Sequence, residues 1–275
     1  MSKNYLYNKT VVITGASGGI GFAISKILIE KYNCNVIGIA RNKDKIEKSI
    51  QTLKVNKDNF SYHLFDVSKR QNWLDFYDFL IKNNISIDIL INNAGFMLPF
   101  SKFEKYTDSQ IQEIIDTNFI ANVISIKTLL PLLKQSKDPA IINVCSSAGL
   151  CSVVGQSMYS ATKSAMRSFT EALNQEYKKQ IFVCGVYPGF IKTDILNRQK
   201  VEQKETNLIH KVMMPLDKAS KIIVKKIAKR KKRIVLGFDG RFMSLFYRLF
   251  PSFTLSLITK VLKLSKLQLF DDVFN

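Results

Sequence analysis

The chain has 275 residues, of which 46% are hydrophobic and 23% charged. That balance excludes wholesale disorder, a collagen-like repeat and a simple coiled coil, and the length allows one large domain or two small ones. The formal charge is +19, and residues 198–275 hold 18 basic against 6 acidic side chains, +12 of that total. Such a field draws anionic partners, whether a phosphate cofactor, an acidic carrier protein, anionic lipid or nucleic acid. Cys34, Cys145, Cys151 and Cys184 form no CxxC pair, and His63 and His210 stand far apart. Neither a disulfide framework nor a metal site is expected, and free thiols fit a reducing, cytoplasmic setting. The short segment before the first strand-like run lacks an apolar core, so no signal peptide is read there. The longest uncharged stretch, Pro139–Thr162, is full of Ser, Gly and Asn and does not read as a membrane span.

The first strand-like run, Thr10–Thr14, leads straight into Thr14-Gly15-Ala16-Ser17-Gly18-Gly19-Ile20-Gly21, and a helical pattern follows over 20–32. Gly15 permits the tight turn, Gly19 lets backbone approach a pyrophosphate, and Gly21 permits close packing of helix on strand. The helix N-terminus offers free N–H groups and a partial positive charge. The position between strand one and helix one separates this loop from an ordinary glycine-rich turn. The second run, Asn35–Ala40, ends in Arg41-Asn42. A site for NAD usually carries Asp or Glu there to hold the ribose hydroxyls. A guanidinium would instead pair with the 2′-phosphate of NADP, and the Ser17 hydroxyl could reach the same phosphate. NADP(H) is the preferred cofactor on this reading, with NAD(H) as the alternative.

Further strand-like runs are Asn59–Phe65, Ile87–Ile91, Ala140–Val144, Phe182–Val186 and Arg233–Gly237. Helical patterns at 43–54, 70–83, 108–134, 157–179 and 216–230 fill most of the gaps. Apolar strands separated by helix-length segments imply βαβ units and a parallel sheet covered on both faces. One doubly wound α/β domain over residues 1–239 is expected. Segment 191–215 is irregular and is a candidate substrate lid. Beyond it, 240–275 forms an apolar and basic extension. Phe242–Phe250 is very apolar, Pro251 interrupts, and Lys260, Lys263 and Lys266 alternate with Leu255, Ile258, Val261, Leu262 and Leu264. An amphipathic helix packing on the body or on a partner subunit would explain the pattern. A monotopic membrane anchor, with Phe and Leu buried and Lys at the headgroups, is weighed about evenly with it, and the balance tips slightly to the membrane or to a lipophilic substrate entrance.

Tyr159 and Lys163 are four residues apart, so they share one face of the 157–179 helix. A phenol with a pKa of ~10 is too weak an acid to ionise near neutrality. A neighbouring ammonium would lower it. Tyr159 is then expected as the general acid in carbonyl reduction, or the base in alcohol oxidation. Cys145 and Cys151 read as small core hydrophobes.

The ordered set Thr14–Gly21, Asp66-Val67, Asn92-Asn93-Ala94-Gly95, Asn118, Ser146, Tyr159-Ser160-Ala161-Thr162-Lys163 and Pro188-Gly189 with Thr193 resembles a classical short-chain dehydrogenase/reductase over roughly residues 8–237. The resemblance implies a single Rossmann-type domain. It implies Ser146 as the serine that orients the reacting oxygen. It implies Lys163 as both tuner of Tyr159 and holder of the nicotinamide ribose. Asn118 would complete a water-linked proton relay through Lys163. Asn122 lies close, but Thr117-Asn118 fits the pattern better. Asp66 and Val67 would flank the adenine, and Asn92, Ala94 and Gly95 would wall the ribose. Pro188, Gly189, Ile191 and Thr193 would cradle the carboxamide and pyrophosphate. With Gly15, Ser17, Gly19, Ile20, Gly21 and Arg41 they make up the expected cofactor site. Asn93 reads as a strand-stabilising hydrogen bonder. In NADP users the family often has a basic residue just before the second loop glycine. This chain has Gly18 there, which leaves Arg41 to carry the preference.

The expected activity is hydride exchange between nicotinamide and a carbonyl or secondary alcohol. Phe96, Met97, Leu98, Leu150, Val153 and Val154 near the site point to a lipophilic substrate. Two rivals are 3-oxoacyl-carrier-protein reduction and a non-catalytic, cofactor-sensing protein that binds membrane or nucleic acid through its basic surface. Nucleic acid is disfavoured, because Lys225-Lys226 and Lys229-Arg230-Lys231-Lys232-Arg233 lack aromatic interleaving. The resemblance also implies a homodimer or tetramer through 108–134 and 157–179.

Overall fold

The computed structural model describes residues 5–193, 205 and 213–275. Among the described residues seven strands run β1 Thr10–Thr14, β2 Asn35–Ala40, β3 Phe60–Leu64, β4 Ile89–Asn92, β5 Ala140–Val144, β6 Phe182–Tyr187 and β7 Arg233–Val235. They form one sheet in the order β3-β2-β1-β4-β5-β6-β7, and every pairing is parallel. Successive side chains on a strand point to opposite faces. Val11 and Ile13 therefore enter one apolar layer and Val12 the other, and Ile142 and Ile141 divide the same way. A sheet buried on both faces needs apolar residues at nearly every position, and β4, β5 and β6 are buried throughout.

The first layer packs α1 (Gly19–Tyr32) and α7 (Leu216–Ala228) on the sheet; the second packs α3 (Arg70–Lys82), α5 (Ala121–Leu133) and α6 (Ser157–Glu176). Local chemistry sets the helix ends. The Asn42 side chain caps α2 (Lys43–Gln51) by accepting from the Lys45 N–H at 2.8 Å. Thr107 and Gln110 form a capping box at the start of α4 (Asp108–Ile115). The pattern at 108–134, read as one helix, is two: a π turn at Asp116–Ile120 separates α4 from α5 and carries Asn118. Such turns insert one residue into the helix and often sit at functional sites. The fourth strand begins at Ile89 rather than Ile87, and Asp88 just before it binds Lys9, the Thr10 N–H and Ser136.

The extension is not one helix. It folds as α8 (Phe238–Leu249), α9 (Pro251–Leu264), a 3-10 turn at Gln268–Phe270 and α10 (Asp271–Phe274). Helix α8 starts before residue 240, so the expected boundary at 239 falls inside a helix. Of the candidate lid, Ile191 bridges to Met214, which pairs the two stems of the segment. Residues 194–204 and 206–212 lie outside the described residues. The basic cluster is partly engaged in the fold: Arg230 pairs with Asp138, Arg233 with Glu171, and Lys232 donates to Asn174.

Candidate active site

The strand order reverses between β1 and β4, and in doubly wound sheets the crevice at that point, beyond the carboxyl ends of the strands, is where ligands bind. A cavity of about 390 Å³ lies there. One end is the glycine loop. Gly15 has a φ of +66°, a left-handed conformation that favours glycine. A Cβ on Gly21 would stand 2.4 Å from the Gly15 carbonyl oxygen, so only hydrogen fits between helix and strand. Thr14 Oγ1 accepts from the Asn93 and Ala94 N–H groups, each at 2.9 Å, which ties the loop after β4 to β1. Asn93 Nδ2 donates to the Thr14 carbonyl at 2.9 Å.

Ser17, Gly19 and Ile20 line the same end of the cavity, together with Arg41. A further cation stands there that the sequence reading missed. Lys45, on the first turn of α2, lines the cavity, and a Cβ on Gly18 would lie 3.1 Å from Lys45 Cε and 3.5 Å from its Nζ. A cation from a neighbouring helix thus stands beside Gly18. Its one sequence signal is the Asn42 cap, which places Lys45 a turn after Arg41.

At the other end Ser146, Tyr159 and Lys163 line the cavity, with Pro188, Gly189, Ile191 and Thr193 along its side. Ser146 follows β5 and accepts from the Ala148 N–H at 3.1 Å, and it hydrogen-bonds Tyr159. Lys163 Nζ donates to the Val144 carbonyl at 3.3 Å and stands 5.7 Å from the centre of the Tyr159 ring. Asn118 is fully buried; its Nδ2 donates to the Phe96 carbonyl and its Oδ1 accepts from the Phe96 N–H, at 2.9 and 3.0 Å. It clamps the Ala94–Phe96 loop beside Lys163, since a Cβ on Gly95 would meet Asn118 Oδ1 at 3.0 Å and Lys163 Nζ at 3.2 Å. Asn122 Nδ2 donates to the Asn118 carbonyl at 2.7 Å.

Not every expected residue reaches the cavity. Ala94 and Gly95 do, but Asn92 faces the interior. Its side chain is one link in a buried chain: Ser125 Oγ donates to Asn92 Oδ1, Asn92 Nδ2 to Asn143 Oδ1, and Asn143 Nδ2 to Thr170 Oγ1. Val67 is buried in the second layer, where its carbonyl accepts from Trp73 Nε1. Asp66 lies off the cavity. Burial pushes its carboxyl up, but two hydrogen bonds from Ser68 and the Arg41 and Lys69 cations outweigh that and hold it below its ordinary value. Leu150 packs with Cys145, Met166 and Tyr187, away from Phe96, Met97, Leu98, Val153 and Val154.

The protonation of Tyr159 departs from expectation. Burial pushes the phenol up to about 12; the Ser146 hydrogen bond opposes this only in part. Burial lowers Lys163 as well. Desolvation disfavours both charged forms, and Lys163 Nζ is hydrogen-bonded to a carbonyl. Burial raises Cys145 and Cys151 to about 11, so neither is a ready nucleophile.

The walls responsible come partly from the chain's end. Leu269, Phe270 and Val273 are buried in one cluster with Met97, Leu98, Phe100, Ala148 and Tyr159. Phe270 meets Phe100 edge-on at 5.0 Å between ring centres. Lys105 pairs with Asp272 at 2.7 Å, and the Lys102 N–H donates to the Asp272 carbonyl. Sequence periodicity had no means of placing this terminal turn on the site. Phe270→Ala is expected to lower stability by about 3 kcal/mol, read from a urea unfolding midpoint. An unchanged midpoint would show that the turn does not pack there.

The family described as short chain dehydrogenase matches residues 9–204. An uncharacterised oxidoreductase of Listeria monocytogenes is 32% identical over 222 residues, spanning 78% of this chain and 89% of that protein. A 3-oxoacyl-[acyl-carrier-protein] reductase of Rickettsia felis is 32% identical over 201 residues, 73% of this chain and 80% of that protein. An alcohol dehydrogenase of the archaeon Thermococcus sibiricus, solved in complex with 5-hydroxy-NADP, shares the fold with a TM-score of 0.70 at 24% identity, over 82% of this chain and 93% of that one. With the parallel sheet, the glycine loop and the Ser146, Tyr159 and Lys163 arrangement, these matches place the chain in the classical short-chain dehydrogenase/reductase family of oxidoreductases.

Proposed function

We propose that the protein is an NADP(H)-dependent reductase that exchanges hydride with a carbonyl or secondary alcohol of a lipophilic substrate. One observation carries this reading: Ser146, Tyr159 and Lys163 line one end of a cavity whose other end holds the glycine loop, Arg41 and Lys45. The residues present fit a dinucleotide, because the α1 N-terminus and the Gly15–Gly21 contact form the cradle that a pyrophosphate needs. The bound cofactor would supply hydride exchange at its nicotinamide. Arg41 and Lys45 would hold the 2′-phosphate, and the Thermococcus enzyme, which shares the fold, was solved with an NADP-type ligand. Pro188, Gly189, Ile191 and Thr193 would hold the carboxamide end. The lining by Phe96, Met97, Phe100, Val153, Met213 and Met243 suits an apolar substrate.

Ser146 orients the substrate oxygen, and the Tyr159 hydroxyl donates its proton to that oxygen as the carbonyl is reduced. A phenol at about 12 keeps its proton throughout the neutral range, which suits donation. Lys163 lines the same end, and Asn118, whose amide is taken up by the Phe96 backbone, would act behind it by fixing the Ala94–Phe96 loop. The two directions should then differ in pH dependence. Reduction needs the phenol and is expected to be flat from about pH 6 to 9, whereas oxidation needs the phenolate and rises about tenfold per pH unit over the same range. An oxidation profile that levels off near pH 7 would place the working phenol far below 12.

A second reading, 3-oxoacyl-carrier-protein reduction, is favoured by the similarity to the Rickettsia reductase and by the basic surface. The additional C-terminal extension speaks against it, and an acyl-carrier thioester assay separates the two. A non-catalytic sensor is disfavoured by the intact polar end of the cavity and by the engagement of Arg230, Lys232 and Arg233 within the fold. A homodimer or tetramer through the segments 108–134 and 157–179 is also proposed, checked by light scattering. The deciding experiment is NADPH consumption against ketones and aldehydes of graded chain length. Activity that grows with chain length supports the reading; oxidation of NADPH by none of them refutes it.

A further inference from the structure

Helices α8 and α9 pack against each other and present an apolar face to solvent. Half of the sixteen exposed large hydrophobic residues among those described fall within 238–264: Phe238, Leu245, Phe246, Leu249, Phe250, Phe253, Val261 and Leu264. Chance would spread them along the chain. Phe238 is 85% exposed, Phe253 62% and Leu264 67%. Their spacing is helical. Phe238, Phe242, Leu245, Phe246 and Leu249 fall on one face of α8, and Phe253, Leu257, Val261 and Leu264 on one face of α9. Arg241, Arg248, Lys260, Lys263 and Lys266 are exposed around these stripes, and Asp239 is the one acidic residue from 238 to 266.

The opposite side of α8 belongs to the site. Met243 lines the cavity, and a Cβ on Gly240 would stand 3.5 Å from Ser147 and 3.6 Å from the Gly189 nitrogen. Both ends of the helical pair are fastened, by this contact and by the burial of Leu269, Phe270 and Val273. The pair is therefore a fixed platform. At 12 and 14 residues the helices are too short for a bilayer core, which needs ~20, and no described helix is long and apolar enough to cross one. Apolar side chains ringed by Lys and Arg, on helices that cannot span, match a surface that lies in the headgroup plane. The same cations would repel a second copy of this basic chain but attract acidic lipid.

We propose that α8 and α9 form a docking surface for a bilayer with anionic headgroups, with the α8 wall of the cavity set against the lipid. Docking itself is independent of the reaction proposed above; delivery of an apolar substrate from the bilayer rests on that reading.

The test uses the full chain and vesicles of phosphatidylcholine with or without phosphatidylglycerol, read by co-sedimentation. Binding to the anionic vesicles is expected, at least about tenfold weaker to pure phosphatidylcholine and weakened by about 0.5 M salt. L249S/F253S is expected to lose binding at least about tenfold while keeping its melting temperature and its turnover of a short, soluble ketone. Should that variant melt early, K260E/K263E, which leaves the apolar stripes intact, is expected to lose the anionic preference. Equal sedimentation of both variants and the native chain overturns the proposal. So does light scattering in which the native chain is a dimer and L249S/F253S a monomer, which would assign the face to a second copy. Binding without any carbonyl turnover would leave the docking surface standing and remove the proposed reaction.

Discussion

Replacing Tyr159 with Phe is expected to lower NADPH-dependent carbonyl reduction about 10²–10⁴-fold, the range that a positioned proton donor contributes. The substitution removes one oxygen and keeps the ring. That ring packs with Met97, Leu98, Phe100 and Phe270, so the fold and the cavity walls should survive. The hydroxyl's partner, Ser146, keeps the Ala148 N–H on its oxygen, and its released O–H faces the cavity rather than the closed interior. Cofactor affinity should change little, because the glycine loop, Arg41 and Lys45 lie at the other end of the cavity. Steady-state NADPH consumption and a fluorescence titration of cofactor check the two halves separately. Unchanged turnover would remove Tyr159 from the chemistry. Lost cofactor binding would make its role structural.

Reversing the charge at the adenosine end should produce the second large effect. Arg41→Asp is expected to lower the ratio of kcat/KM for NADPH to that for NADH at least about tenfold. A hydrogen bond to a charged group is worth about 1.5–3 kcal/mol, and each 1.4 kcal/mol is tenfold. Arg41 is exposed, so the lower end of that range applies. Adding Lys45→Glu should lower the ratio further, because Lys45 stands against Gly18 on the same cavity wall. Phosphate loss is read directly by comparing the two cofactors in each variant. Equal ratios in the native chain and the double variant would dismiss both cations from cofactor choice. A drop for Lys45→Glu alone would place the preference on the helix.

Much of this was legible in the residue order because the signals are local. Alternating apolar strands and helix-length gaps specify a parallel sheet; the period alone settles which residues lie on which face. A glycine at a left-handed turn and another under a helix follow from sterics within one loop, as Gly15 and Gly21 show. Tyr159 and Lys163 share a helix face through their spacing. The family motifs around them lie on the same short elements.

What only the folded chain decided depends on segments far apart in sequence. Asn92 sits in a motif that resembles a cofactor wall, yet the partners of its amide, Ser125 and Asn143, come from α5 and β5 and turn it inward. Lys45 joins the glycine-loop side of the cavity because α2 packs beside that loop. The phenol rises to about 12, rather than falling beside its cation, because the desolvation of a charge is set by every wall around it. Those walls include Phe270 and Val273 from the last turn of the chain. Composition marks the extension as apolar and basic but does not say which surface that turn covers, since burial is a property of the assembled contacts and not of the local sequence.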